Sequence, residues 1–133
     1  MPDHDALGYQ VFVSDPIPLN VPGHIPNGET HMFSPLATTL IYGENDAVLA
    51  EAPLTTDQAK AVGDWVEDSG KNLTHIYESH AHGDHWFTAG VLAERFGAQV
   101  VASAGTVELM HVHVSARKNF WDKLWPGQIP PWA

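Results

Sequence analysis

Four side chains that commonly bind metal ions lie within the segment His80-Ala81-His82-Gly83-Asp84-His85, called here the HAHGDH motif. His80 and His82 are two positions apart, so in an extended segment both imidazoles project to the same side and can bind one ion. Asp84 and His85 follow Gly83, which we expect to let the backbone turn sharply. Imidazole and carboxylate ligands favour zinc, with manganese, iron and cobalt as chemically reasonable substitutes. The motif therefore predicts a metal site.

Composition restricts the chemistry that the rest of the chain can offer. The chain has 133 residues, with 6 basic and 16 acidic side chains, no cysteine and a formal net charge of -10. Such an acidic chain is a poor partner for nucleic acid or an anionic membrane surface. The absence of cysteine excludes thiolate metal ligands and a cysteine nucleophile. No signal-peptide pattern and no apolar run long enough to cross a membrane occurs, so we expect a cytoplasmic protein.

The length predicts one domain over residues 1–133, with an irregular N-terminal segment (1–30), an α/β core (31–125) and a tail (126–133). Thr55 and Gln58 form a capping-box pattern that predicts the start of a helix ending near Ser69. The strands predicted from apolar and β-branched runs are Tyr9 to Val13, a hairpin over 37–42 and 47–52, Leu73 to Glu78, and a buried strand over 99–102. Further helices are predicted over 86–96, 105–113 and 117–124.

The HAHGDH motif resembles the H-x-H-x-D-H signature of the metallo-β-lactamase superfamily, and segments 39–43 and 48–53 resemble the N-terminal half of that fold. The resemblance covers about residues 31–125. It implies half of an αββα sandwich, in which a mixed sheet carries helices on one face. It also implies that His80 and His82 contribute to one metal site, while Asp84 and His85 contribute to the second site of a dinuclear zinc centre. A metal-bound hydroxide, oriented in part by Asp84, would then attack an ester, thioester, lactone or lactam.

The same resemblance implies that the second half of the family fold is absent, because that half supplies further metal ligands that the residues after His85 do not contain. The absent half would also cover one face of the sheet. An uncovered sheet face costs about 25 cal/mol per Å² of apolar surface left in water. Since the two halves of the fold are related by an approximate two-fold axis, we expect a homodimer to replace the absent half. The chain is then a zinc-dependent hydrolase of a small-molecule substrate. The alternatives are a metal-binding, homodimerising half-domain with little or no turnover, and a chain that works beside a separate partner.

Other residues admit a second interpretation. His111 and His113 repeat the spacing of two, but residues two apart on a helix face different ways, so a ligand role is disfavoured. Tyr77 is expected in the core. Glu78 is expected either to fix a histidine tautomer or to lie exposed on its strand. The aromatic residues near the motif and the C-terminus either line a substrate pocket or, as we favour, belong to the core or an interface: Trp86, Phe87, Phe120, Trp121 and Trp125.

Overall fold

The computed structural model describes residues 6–23 and 25–131. Its strands are β1 (Gly8–Ser14), β2 (Ile17–Pro18), β3 (Met32–Phe33), β4 (Leu36–Tyr42), β5 (Asp46–Ala50), β6 (Asn72–Tyr77) and β7 (Gln99–Val101). Its helices are α1 (Thr56–Asp68), α2 (Ala89–Phe96), α3 (Ala104–Ser115) and the one-turn α4 (Trp121–Leu124), with two 3-10 turns at Gly83–His85 and Arg117–Asn119. None of the helices in these two ranges is long and apolar enough to cross a membrane.

Five strands form one mixed sheet in the order β1-β4-β5-β6-β7, and β2 pairs separately with β3. The pairs β1/β4 and β4/β5 are antiparallel, whereas β5/β6 and β6/β7 are parallel. The predicted hairpin is confirmed as β4 and β5, joined by a tight turn in which the Gly43 N–H donates to the Asp46 carbonyl over 2.9 Å. Helix α1 is the crossover between parallel strands β5 and β6, and α2 is the crossover between β6 and β7. The chain therefore has the predicted α/β arrangement with a mixed sheet.

Helix α1 begins where the capping box predicted it. The Thr55 side chain accepts the Gln58 backbone N–H over 3.2 Å, and the Gln58 side chain accepts the Thr55 N–H over 3.1 Å. These bonds satisfy two polar N–H groups that a helix start leaves unpaired. At the other end Gly70 adopts a φ of 70°, the left-handed conformation that glycine tolerates without strain. The start and end of this helix are therefore fixed locally.

The two faces of the sheet differ in what covers them. On the inner face, which packs against α1 and α2, Leu40, Leu49 and Ile76 have no exposed surface. The alternating side chains of the same strands form the outer face, whose apolar members are exposed by 38% to 72%: Tyr9, Val11, Val13, Ile41, Tyr77 and Val101. Strand register places them on one side, because Tyr9 pairs with Ile41 and Tyr77 with Val101.

The strand predicted over Tyr9 to Val13 is confirmed as β1, which pairs with β4 at one edge of the sheet. Two sequence predictions about burial were wrong. Strand β7 is an exposed sheet edge and not a buried strand, since it has a neighbour on one side only. Tyr77 is 47% exposed on the outer face instead of in the core. Residues 1–5 and 132–133 lie outside the described ranges, so the outer limits of the predicted N-terminal segment and tail remain predictions.

The helix predicted over 105–113 is confirmed as α3 (Ala104–Ser115), whereas the other two helices predicted after the motif are shorter or broken. Helix α2 begins at Ala89 and not at Trp86, because the 3-10 turn Gly83–His85 precedes it, and it ends at Gly97 as predicted. The predicted helix over 117–124 is a 3-10 turn followed by α4. Together with the tail these elements form a second apolar cluster beside the motif: Leu36, Leu54, Phe87, Trp121, Trp125 and Ile129.

Candidate metal centre

The HAHGDH motif follows the C-terminal end of β6, between the ends of its parallel neighbours β5 and β7. Backbone hydrogen bonds tie these ends together: the Ala52 N–H donates to the His85 carbonyl over 2.8 Å, and the Glu78 N–H donates to the Val101 carbonyl over 3.0 Å. Ligand sites of α/β proteins favour this edge of the sheet. The motif is therefore held by the sheet, at the position the sequence predicted.

Three histidine rings of the motif are neighbours. The His80 ring centroid lies 4.8 Å from that of His82 and 4.5 Å from that of His85. The Ser79 hydroxyl is 2.8 Å from His80 Nδ1, so it can fix the orientation of that ring. The alternation of an extended segment brings His80 and His82 together, and the 3-10 turn returns His85 to them.

His85 lies between two carboxylates. Its Nε2 is 3.3 Å from Asp84 and its Nδ1 is 3.3 Å from Glu51. The contacts with Asp84 and then Glu51 raise the pKa of His85 to about 10, against the opposing effect of burial. Burial alone would raise the pKa of Asp84, but the contact with His85 outweighs burial and lowers it below the ordinary value. Without a metal, His85 is thus a cation held between two anions.

Glu51 is a residue of the site that sequence reasoning missed. It follows β5 with a φ of 72°, an uncommon conformation for a residue other than glycine and one that is concentrated at functional sites. Its carboxylate also accepts the Ser79 N–H over 2.9 Å. Burial would raise the pKa of Glu51, but His85 and Ser79 outweigh burial and lower it. Its position after an apolar strand was the available signal, but only the parallel pairing of β5 with β6 brings it to the motif.

Glu78 is fully buried, and neither of its carboxylate oxygens has a hydrogen-bond partner among the described residues. Burial, with the nearby charge of Glu51, raises the pKa of Glu78 to about 9. The carboxyl group is therefore protonated at neutral pH. The prediction that Glu78 could be an exposed strand residue was wrong. The other prediction, that Glu78 holds the tautomer of a histidine, stays a prediction.

Gly83 is needed for space and not for an unusual backbone angle. A Cβ at this position would overlap the ring of Phe87, whose side chain is 1% exposed in the second apolar cluster. The Gly83 φ lies outside the left-handed region, so the expected glycine-dependent turn was wrong in its reason. The close approach of Phe87 fixes the motif against that cluster.

Helix α3 brings a further histidine to the motif. The His113 ring centroid is 5.8 Å from that of His82, whereas His111 lies in a different hollow beside Trp86. The two histidines do face different ways, as the helix geometry predicted. Burial, followed by the influence of His82, lowers the pKa of His113.

The donor set suits zinc, although the side chains do not yet surround an ion. Within 6–23 and 25–131, no three or more His, Asp or Glu side chains are arranged so that they could hold a metal as they stand. The side chains that would have to converge are already adjacent: three imidazoles lie within ring contact, and Asp84 contacts the third. Neutral imidazole and carboxylate are the oxygen and nitrogen ligands that zinc prefers. The residues therefore fit a metal in type and proximity.

Comparison with known proteins identifies the family. Residues 34–120 match the sequence model of the metallo-β-lactamase superfamily. The chain belongs to this superfamily. No curated protein sequence matches it.

Solved structures of the superfamily share the fold. The metallo-β-lactamase FIM-1 from Pseudomonas aeruginosa, in a mono-zinc form, is 16% identical with a TM-score of 0.57 over 79% of this chain. A metallo-β-lactamase from Cronobacter sakazakii with a HARLDQ motif is 28% identical with a TM-score of 0.50 over 55% of this chain. The matches cover 42% of the first enzyme and 29% of the second. The chain thus corresponds to half or less of these enzymes.

Proposed function

We propose that this chain is the metal-binding part of a zinc-dependent hydrolase that acts on ester, thioester, lactone or lactam bonds. The observation that carries the proposal is the cluster of His80, His82 and His85 with Asp84 at the C-terminal edge of the sheet. Membership of the superfamily supports metal-dependent hydrolysis as the reaction class. The chain matches less than half of the related enzyme FIM-1, so hydrolysis by this chain is part of the proposal.

In this proposal His80, His82, Asp84 and His85 hold the metal. When bound, zinc polarises a carbonyl oxygen and lowers the pKa of a water molecule. Asp84, the charged oxygen ligand of the motif, would also help to orient the attacking water. Glu51 is a positioning residue: its carboxylate contacts Nδ1 of His85 and so directs Nε2 as the metal-binding nitrogen.

The proposal is tested by zinc-supported hydrolysis of a chromogenic ester and a chromogenic lactam. We expect turnover by the zinc-loaded protein above that of free zinc, and loss of this turnover in His82→Ala. His111→Ala is the matched control, because it removes an exposed imidazole outside the motif. Turnover that persists in His82→Ala, with the fold retained by circular dichroism, would overturn the assignment.

The alternative is a metal-binding half-domain with little or no turnover, favoured by the exposed apolar outer face. It is distinguished by zinc binding that depends on His82 in a protein whose hydrolysis does not exceed that of free zinc.

We also propose that a second copy of the chain covers the outer face, so that the site is completed in a homodimer. The outer face is broad and apolar, and an isologous contact would bring two copies of the motif to one edge. Ile41→Asp places a charge within this face, while Ala61→Asp places one on the exposed side of α1. Sedimentation equilibrium should find a dimer for the parent and Ala61→Asp chains and a monomer for Ile41→Asp. A folded parent chain that stays monomeric at high concentration would contradict the homodimer and favour a separate covering partner.

A further inference from the structure

Glu51 reaches His85 from a backbone conformation that a glutamate seldom adopts. The residue follows β5 with a φ of 72°, in the left-handed region that favours glycine. Such a conformation persists only where the surrounding contacts hold it. The Glu51 carboxylate lies 3.3 Å from His85 Nδ1 and accepts the Ser79 N–H over 2.9 Å. The direction of this carboxylate therefore depends on the contacts that hold the Glu51 backbone.

Hydrogen bonds to both strands beside β5 hold that backbone. The Glu51 N–H donates to the Tyr77 carbonyl of β6 over 2.9 Å, a contact that any residue except proline could make. The Glu51 carbonyl accepts the side-chain hydroxyl of Thr38, which belongs to β4. Thr38 is 3% exposed, so water has little access to this contact. The bond from Thr38 is thus the one that depends on the identity of a side chain.

The Thr38 hydroxyl also contacts the preceding carbonyl. Its Oγ1 lies 3.1 Å from the Ala50 carbonyl oxygen, so one hydroxyl proton is shared between two consecutive carbonyls. In an extended strand consecutive carbonyls point in opposite directions. They converge on one hydroxyl here because the chain leaves the extended conformation at Glu51. The Thr38 hydroxyl therefore fits the turned backbone and not a continued strand.

We propose that Thr38 is a positioning residue of the metal centre: its hydroxyl holds the turn at Glu51, and the turn directs the Glu51 carboxylate toward His85. The inference rests on the proposed function for the role of His85 as a metal ligand. Thr38 acts through Glu51, so neither the metal nor a substrate has to touch it. The hydrogen bonds themselves can be tested in the metal-free protein.

The two adjacent threonines of β4 provide matched variants. Thr38→Val removes the hydroxyl and keeps the branched shape of the side chain, whereas Thr38→Ser keeps the hydroxyl. Thr39→Val makes the same change at the next position, which pairs with Val11 and belongs to the outer face. Circular dichroism verifies that each variant folds, and Thr38→Ala serves if Thr38→Val does not fold.

The first measurement uses the metal-free protein. The Ser79 N–H donates to the Glu51 carboxylate, so its ¹H–¹⁵N resonance reports the position of that carboxylate. In Thr38→Val we expect an upfield shift of the Ser79 amide proton and faster hydrogen exchange at this amide, with the other amides of β6 unchanged. Thr38→Ser and Thr39→Val should resemble the parent chain. A Ser79 amide that is the same in Thr38→Val and in the parent chain would overturn the proposal.

The second measurement is zinc affinity, by competition with a chromophoric chelator. We expect Thr38→Val to bind zinc about 3- to 10-fold more weakly, which is less than the loss of a direct partner of a metal ligand causes. Since Thr38 acts through Glu51, Thr38→Val should have no further effect in a Glu51→Gln background. An undiminished affinity in Thr38→Val, or the same loss with and without Glu51→Gln, would overturn the proposal.

The outcomes are separable from those of the proposed function. Zinc binding that depends on His82 and weakens in Thr38→Val, without any hydrolysis, would support the positioning role and overturn the hydrolase. Zinc-dependent hydrolysis, with the Ser79 amide and the zinc affinity unchanged in Thr38→Val, would support the hydrolase and overturn the positioning role. Zinc binding that is unaffected by His82→Ala would overturn both.

Discussion

Leu40 and Ile41 are neighbours on β4, yet Leu40 is fully buried and Ile41 is 38% exposed. The difference follows from the faces they occupy, because Leu40 points toward α1 and α2 while Ile41 belongs to the outer face. A strand with apolar residues on both faces is typical of a sheet that is covered on both sides. The inner face is therefore a buried core, whereas the outer face is as apolar as a core but is exposed.

Helix α3 shows the same contrast on the helical side. It has no buried residue, and Val107, Leu109 and Val112 are 42%, 55% and 58% exposed. Helix α1, by comparison, buries Val62 and Val66 completely. An apolar helix surface in water marks a contact site or an aggregation risk. The outer face of the sheet and helix α3 thus share an exposed apolar surface, whereas the inner face and α1 are buried against each other.

The largest expected effect distinguishes the two faces by paired substitution on β4. Leu40→Ala removes fully buried methyl groups and should lower the free energy of unfolding by about 2 to 5 kcal/mol. Ile41→Ala should cost clearly less in the monomer, because the lost side chain is partly in water. Urea titration of both variants, under conditions in which the protein is monomeric, measures the difference. Equal costs would refute the contrast between the faces.

Tyr77, the last residue of β6, is 47% exposed, whereas the next residue, Glu78, is fully buried; they give a second pair. The pKa of Glu78 is about 9 in the folded chain and 4.5 as its ordinary value. The folded state therefore retains a proton that the unfolded state loses, so this stability is complete below about pH 4.5 and is lost as the pH rises towards 9. The expected slope is about 1.4 kcal/mol per pH unit in the metal-free protein.

In the pH range from 5 to 6.5 the parent chain is compared with Glu78→Gln, because the lowered pKa of His113 also acts below 6.5 and with the opposite sign. The raised pKa of His85 has the same sign as that of Glu78 but acts only above its ordinary value of 6.5, and the lowered pKa values of Asp84 and Glu51 act below 4.5. Over that range we expect the free energy of unfolding of the parent chain to fall by about 2 kcal/mol relative to that of Glu78→Gln. Glu94→Gln, an exposed position on α2, is the control. Parallel profiles of the parent chain and Glu78→Gln would contradict the buried, protonated Glu78.

Substitution of Glu51 tests how strongly the metal affinity depends on the contact that positions His85. Glu51→Gln keeps the size of the side chain but removes the charge beside His85 Nδ1, and second-shell changes of this kind typically lower metal affinity about 10- to 100-fold. Competition with a chromophoric zinc chelator measures the change, with Glu44→Gln as an exposed control in the β4–β5 turn. Unchanged affinity would leave Glu51 a structural contact only.

The smallest effect is expected on the solvent side of the helices. Arg95 bridges α2 to α1 through Asp64 at 2.9 Å and Glu67 at 2.6 Å. These groups are exposed, so Arg95→Ala should cost less than about 1 kcal/mol, and added salt should reduce the cost further. Thermal unfolding at low and high salt provides the measurement. A cost equal to that of Leu40→Ala would contradict the prediction, because a surface ion pair would then contribute as much to stability as a buried core side chain.

The features predictable from sequence were those encoded locally. The capping box of Thr55 and Gln58 specifies α1, the polar residues between 42 and 47 specify the hairpin, and the spacing of the motif specifies its histidine cluster. Each depends on residues only a few positions apart. Local chemistry therefore supplied the elements and the predicted metal ligands.

The predictions that failed, or that were not made, concern features that depend on contacts between distant residues. Glu51 reaches His85 only because β5 lies beside β6, and the reason for Gly83 is the packing of Phe87. The exposure of β7 and Tyr77 depends on what covers the sheet, which apolar composition alone does not reveal. His113 approaches His82 through the placement of α3 as a whole.

The proposal that the HAHGDH motif binds zinc is tested most directly by the metal content of the purified chain. After zinc loading and gel filtration, elemental analysis should find zinc bound by the parent chain and by His111→Ala, and little by His80→Ala and His82→Ala with their folds retained. Zinc retained equally by all four chains, or by none of them, would contradict the account.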